Sequence, residues 1–245
     1  MVALDQIVAS SGAAVLGAIL GSFISTAAAR GAEGRSALGG RSHCDQCRQP
    51  LGYRQMVPVA SFVALGGRCS VCAAEIPRMH VYGEIAGAFA AFATVLLTSP
   101  PYWLPGLSLA ALLIFVSVFD VRTFRIPDLA SGMVAAFGLL AARVRGDALE
   151  ALATALVALA TLWAAQALFK QIRNKPGLGL GDVKLISALS LWTGPLLTPV
   201  AVTLSCGFAL AWLAAQGQLR SPHRLPFGPF ISLGFWFVAL GRASA

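Results

Sequence analysis

Eight stretches of apolar residues dominate the chain, roughly 7–29, 81–99, 102–119, 127–142, 149–169, 183–194, 197–216 and 228–241. Several approach the ~20 residues that a helix needs to cross about 30 Å of hydrocarbon. In a bilayer the backbone must bond to itself, so only helices and closed barrels span. Continuous runs without strict alternation select helices. Only 11% of the 245 residues are charged, against 57% hydrophobic, whereas a soluble domain carries about a quarter charged. Too little polar surface exists to cover a water-exposed globule. The expected fold is therefore all-α and polytopic, with about eight transmembrane helices. Residues 183–194 and 228–241 are short for full spans, and Thr193-Gly194-Pro195 reads as a turn between the sixth and seventh segments. The first run is preceded by a single charge, Asp5. A cleaved leader would begin with a basic region, so this run reads as a span that stays.

The net charge of +8 encodes orientation. With Met1 outside, residues 30–80, 120–126, 170–182 and 217–227 face the cytoplasm. Together with Lys184 at the membrane edge, they hold all of the 18 Lys and Arg except Arg143, Arg145 and Arg242. That bias is what the positive-inside rule demands. The basic residues are dispersed with no groove-reading module around them, so the bilayer is an expected partner and nucleic acid is not. The oligomeric state is left open.

Residues 30–80 form the one long polar stretch, giving a division into a first span (1–29), a cytoplasmic insert (30–80) and a membrane domain (81–245). The insert carries Cys44-Asp-Gln-Cys47 and Cys69-Ser-Val-Cys72. Two such turns, each aiming two sulfurs at one point, predict a structural tetrathiolate zinc site. Metal also explains how an insert with few large apolar side chains could fold. Two disulfides or a redox relay are the alternative, which a cytoplasmic location disfavours. Cys206 stands alone in an apolar run and reads as a small hydrophobe.

The chain has only ten acidic residues, so those beside membrane segments stand out. Asp120 follows Leu112–Phe119, and Asp182 closes Pro176-Gly-Leu-Gly-Leu-Gly-Asp182. Both fall at cytoplasmic helix ends, at similar depth, where an ionisable side chain is expensive enough to suggest function. Two converging carboxylates can divide the labour of an aspartic protease. One takes a proton from the attacking water, while the other, kept protonated by its neighbour's charge, donates to the scissile carbonyl. Gly179 and Gly181 would let an extended substrate approach Asp182. Against this, Asp120 could merely pair with Arg122 or Arg125, and Asp182 could be an ordinary helix N-cap. Asp128 after Pro127 reads as first-turn helix chemistry. Leu225-Pro-Phe-Gly-Pro229 reads as a turn at the same face, with Phe227 and Gly228 as candidate substrate contacts. A non-catalytic scaffold with a zinc-stabilised docking insert is the alternative for the whole chain.

These motifs, in this order, resemble the type IV prepilin peptidase family of GxGD aspartic proteases. Gly179-Leu-Gly181-Asp182-Val-Lys184-Leu is similar to its G-x-G-D-x-K-L stretch, and Asp120 with Ile126-Pro127-Asp128 to its first aspartate motif. Gly21-Ser22-Phe23, Arg41-Ser42-His43-Cys44, Gly67-Arg68-Cys69 and Glu84 resemble its amino-terminal part, and Pro226–Pro229 its carboxy-terminal signature. The resemblance implies an enzyme of the bacterial inner membrane with its active site facing the cytoplasm. It implies removal of the basic leader from prepilins and pseudopilins after a glycine. It further implies methylation of the new amino terminus by S-adenosylmethionine, an activity belonging to the insert, with the cofactor's residues unspecified.

Overall fold

The computed structural model describes residues 4–36, 42–174, 177–218 and 224–244; Arg41 and Pro176 lie outside them. The chain divides into two compact units, Met1–Leu96 and Leu97–Ala245. Among the described residues no strand forms, only isolated bridges His43–Pro50 and Arg68–Glu75.

The first unit is built on two long helices, α1 (Leu4–Ala32) and α3 (Arg78–Leu97), with a short helix α2 (Ala60–Ala64) in the insert between them. They run antiparallel, since Gln6 near the start of α1 donates to the carbonyl of Leu96 (2.9 Å) at the end of α3. Glycines explain how closely they pack. A Cβ on Gly17 would collide with the carbonyl of Gly87, and one on Gly21 with the carbonyl of Gly83. In hydrocarbon no hydrophobic effect pushes helices together, so backbone approach of this kind supplies the contact.

The second unit holds α4 (Pro100–Thr123), α5 (Asp128–Arg145), α6 (Ala148–Arg173), α7 (Leu180–Ala215) and α8 (Gly228–Ser244). Local chemistry sets the ends. Two prolines start α4, Gly146 closes α5 in the left-handed conformation, and Asn174 closes α6 likewise. Pro127 is the N-cap of α5, one position earlier than first-turn placement would have it. Among the described residues five helices (α1, α3, α4, α6 and α7) are long and apolar enough to cross a membrane, and α8 is a shorter apolar helix. The outer surface matches: Leu149, Leu156, Val157, Trp163 and Ile172 of α6 are all exposed, as a lipid solvent allows.

The expected turn between the sixth and seventh segments is smaller than a loop. Helix continues from Leu180 to Ala215 and is interrupted at one residue, Gly194, with φ of 73°. A positive φ suits glycine, and Pro195 starts the second half without needing a donor. The interruption strands carbonyls at the end of the first half. Arg145 donates to the carbonyl of Leu191 (2.8 Å) and Arg242 to that of Trp192 (3.3 Å), while the Asp147 carboxylate pairs with both guanidinium groups. Two of the three basic residues excluded from the cytoplasmic count thus close one end of this unit. Asp120 and Asp182 stand at the other.

Candidate active site and metal centre

Four helix ends build the cavity. Asp120 lies one turn before the end of α4, where Phe124 turns the chain through the left-handed conformation (φ 53°) with its amide on the carbonyl of Asp120 (2.7 Å). Such a φ is uncommon for a bulky residue and concentrates at functional sites. The chain then passes Ile126 and Pro127 into α5. Asp182 sits in the first turn of α7, and Gly228 opens α8. These pieces enclose a cavity of about 370 Å³ lined by Asp120, Phe124, Ile126, Gly179, Asp182 and Phe227, among others. Both aspartates therefore face one space, as their matched depth in the sequence predicts.

Each carboxylate is held by a glycine amide. Gly228 N–H donates to Asp120 Oδ2 at 2.8 Å in a buried contact, and Gly179 N–H donates to Asp182 Oδ2 at 3.2 Å. Asp182 is the third helical residue and not the N-cap, which is Gly179. It reaches back to the cap amide as the third residue of a capping box does, so structural capping and exposure to the cavity coexist. Asp120 is only 4% exposed.

The glycines are explained by close approach. A Cβ on Gly228 would stand 2.9 Å from Asp120 Oδ2, one on Gly179 2.8 Å from Asp182 Oδ2, and one on Gly181 3.1 Å from the Ile126 side chain. Gly228 thus spends its amide on Asp120, and the irregular backbone beside it is 224–227. At the rim, Lys184 Nζ contacts Asp128 Oδ1 at 2.7 Å, joining α7 to α5 across an exposed ion pair. Residue order does not reveal the Gly228–Asp120 bond, although proline on either side of the Phe-Gly pair marks the segment as irregular.

In the insert the two Cys-x-x-Cys turns repeat one geometry. Cys44 N–H bonds to Gln49 O, Arg48 N–H to Cys44 O and Leu51 N–H to Ser42 O. The second turn repeats this with Cys69 to Ala74, Ala73 to Cys69 and Ile76 to Gly67. Arg48 and Ala73 take the same left-handed conformation after the second cysteine of each turn. The four sulfurs lie within 4.8 Å of one another and could hold a metal ion. Cys44–Cys72 and Cys47–Cys69 are separated by 3.8 and 4.0 Å. A tetrahedron with ~2.3 Å metal–sulfur bonds has edges of about 3.8 Å, whereas a disulfide needs ~2.05 Å. The donor set fits a metal, and all four thiols are free.

The chain is similar to known proteins along most of its length. Residues 15–98 match the profile described as Bacterial Peptidase A24 N-terminal domain, and residues 107–214 that of the Type IV leader peptidase family. A type 4 prepilin-like proteins leader peptide-processing enzyme of Escherichia coli O78:H11 is 34% identical over 200 residues, covering 79% of this chain and 73% of that protein. A prepilin leader peptidase/N-methyltransferase of Burkholderia pseudomallei is 34% identical over 204 residues, covering 79% of this chain and 65% of the other. One of the same name from Pseudomonas aeruginosa is 28% identical over 267 residues, covering 92% and 88%. No solved structure matches.

Proposed function

The chain belongs to the type IV leader peptidase family, and from that premise we propose that it is a membrane aspartic endopeptidase and amino-terminal methyltransferase. It removes the basic leader of prepilins or pseudopilins after a glycine, at the cytoplasmic face of the inner membrane. Asp120 and Asp182 are the catalytic pair. The observation that carries this reading is the shared cavity, in which each carboxylate has one oxygen held by a glycine amide. A scaffold with two structural aspartates gives no reason for that arrangement and is not favoured.

The chemistry needs one proton shared between two carboxylates. The ionised member takes a proton from a water whose oxygen attacks the scissile carbonyl carbon. The protonated member gives its proton to the carbonyl oxygen, and a tetrahedral diol forms. When the C–N bond breaks, a proton passes to the departing nitrogen and the diol collapses to the leader's carboxylic acid. The pair titrates as a unit, so neither aspartate owns either role. The glycine amides fix both carboxylates in place before the substrate arrives, which lowers the cost of alignment. Gly179, Gly181 and Phe227 line the path of the extended substrate, and Gly228 acts by holding Asp120.

In the insert, zinc on Cys44, Cys47, Cys69 and Cys72 plays a structural role, since four thiolates close its coordination and leave no position for substrate. S-adenosylmethionine supplies the methyl group when bound. An open groove of about 520 Å³, bounded by Leu51, Tyr53, Arg54, Ser70 and Val71 among others, is large enough for that class of ligand.

The test is mass spectrometry of a synthetic prepilin with a Gly-Phe junction, incubated in proteoliposomes with and without S-adenosylmethionine. Loss of the leader, followed by gain of one methyl group only with the donor present, is expected. An intact substrate would overturn the peptidase reading.

A further inference from the structure

Within the first unit, one buried carboxylate is not needed by the peptidase chemistry. Glu84 of α3 is 9% exposed. Its Oε1 accepts the hydroxyl of Ser22 on α1 (2.7 Å), and its Oε2 accepts the backbone amide of Val59 in the insert (2.7 Å). The insert is thereby tied to the spanning pair at a definable depth. Helix α3 has 20 residues, which reach about 30 Å at 1.5 Å each, the whole thickness of the hydrocarbon. Its apolar run begins near Val81, so Glu84, three residues on, lies roughly 5 Å inside the boundary. Val59 is held at that level.

The segment from Val57 to Gly67 is built for such a place. Away from water, each amide must find a partner in the protein. Here the amide of Val59 goes to Glu84, and those of Ser61, Val63, Leu65, Gly66 and Gly67 bond within the segment, to Val57, Val59, Ser61, Val63 and Phe62 respectively. Val59 adopts φ of 60°, an outlying conformation for a β-branched residue that the Glu84 bond holds. The exposed side chains are apolar: Val63 is 71% exposed, Val57 49% and Met56 41%. Exposed Arg54 and Arg68 flank them, as suits an anionic surface.

We propose that Met56–Leu65 is a monotopic membrane-docking element. It dips α2 into the interfacial zone, with Val57 and Val63 against lipid acyl chains, Arg54 and Arg68 at headgroup phosphates, and Glu84 as the latch that sets its depth. The metal-binding turns on either side in sequence are thereby held down on the bilayer surface, where a free insert would swing.

The test places a benzoylphenylalanine photocrosslinker at Val63, or for comparison at the exposed Gln49 of the first cysteine turn. The full-length zinc-loaded protein is reconstituted in phosphatidylethanolamine–phosphatidylglycerol vesicles, irradiated and analysed by mass spectrometry. Val63 should capture phospholipid several-fold more than Gln49. Glu84→Ala should bring the Val63 yield down towards the Gln49 level, and Glu84→Gln, which still accepts from Val59, should retain most of it. The Val63–Gln49 comparison needs no variant of Glu84, so a misfolded Glu84→Ala leaves the test intact. Equal lipid capture at the two positions would overturn the proposal. So would capture of an added prepilin in place of lipid at Val63, or an undiminished lipid yield in a folded Glu84→Ala protein.

Discussion

A backbone amide is a donor that only proline removes, and each carboxylate of the cavity relies on one. For Asp120 the donor belongs to Gly228, which is 108 residues away in the chain. A side chain at 228 would put its Cβ within 2.9–3.2 Å of the carboxylate, so Gly228→Val must push Asp120 aside. Misplacement on the order of 1 Å costs about 10²-fold in rate. Turnover of prepilin should fall by roughly that factor for the Val variant and by less for Ala, with KM little changed. Single-turnover cleavage separates the two quantities, and a normal rate in the Val variant would contradict the role given to Gly228. The rim pair Lys184–Asp128 is different in kind. Both side chains are exposed, at 48% and 75%, and an exposed pair contributes about 0–1 kcal/mol. Lys184→Ala should therefore leave the unfolding temperature nearly unchanged.

At the scale of elements, helix packing depends on a few positions where nothing but hydrogen fits. Gly87→Leu would drive a side chain into the backbone of α1 at Gly17 and Gly21. Separation of α1 from α3 is expected, with a fall in thermal stability in detergent; a wild-type melting curve would argue that the two helices are held by something else. Gly194→Ala meets both a positive φ and the Arg242 guanidinium at 2.6 Å. It should lower stability by about 1–3 kcal/mol while sparing cleavage, because the aspartates lie at the opposite end of that unit. On the proposed reading the insert is held together by a metal on its four cysteines. Purified protein should contain about one zinc per chain. A chelator or Cys44→Ser should expose residues 42–77 to limited proteolysis and reduce methylation at least as much as leader removal. An insert equally resistant without metal would refute the structural role of the four cysteines.

At the scale of the whole molecule, much was legible in the sequence because hydrocarbon is a strict solvent. Span length and the scarcity of charge located the helices to within a few residues. The same scarcity made Asp120 and Asp182 conspicuous. The four cysteines were legible because their spacing is itself local geometry. What the order of residues could not disclose is tertiary. The amide of Gly228 on Asp120 depends on how α4 meets α8, and the bond from Glu84 to Val59 on how an irregular segment folds back on a helix. The break at Thr193-Gly194-Pro195 was visible as a break, but its size depended on Arg145 and Arg242 arriving to cap the stranded carbonyls. The account's central claim is that two carboxylates, Asp120 and Asp182, act together on one peptide bond. The direct measurement is the cleavage rate of a Gly-Phe prepilin by wild type, Asp120→Asn and Asp182→Asn, each verified as inserted and folded. Asparagine keeps the shape but cannot cycle a proton, so each variant should lose at least ~10²–10⁴-fold, and the double variant should be little worse than either single one. Near-wild-type cutting by either single variant would contradict the claim.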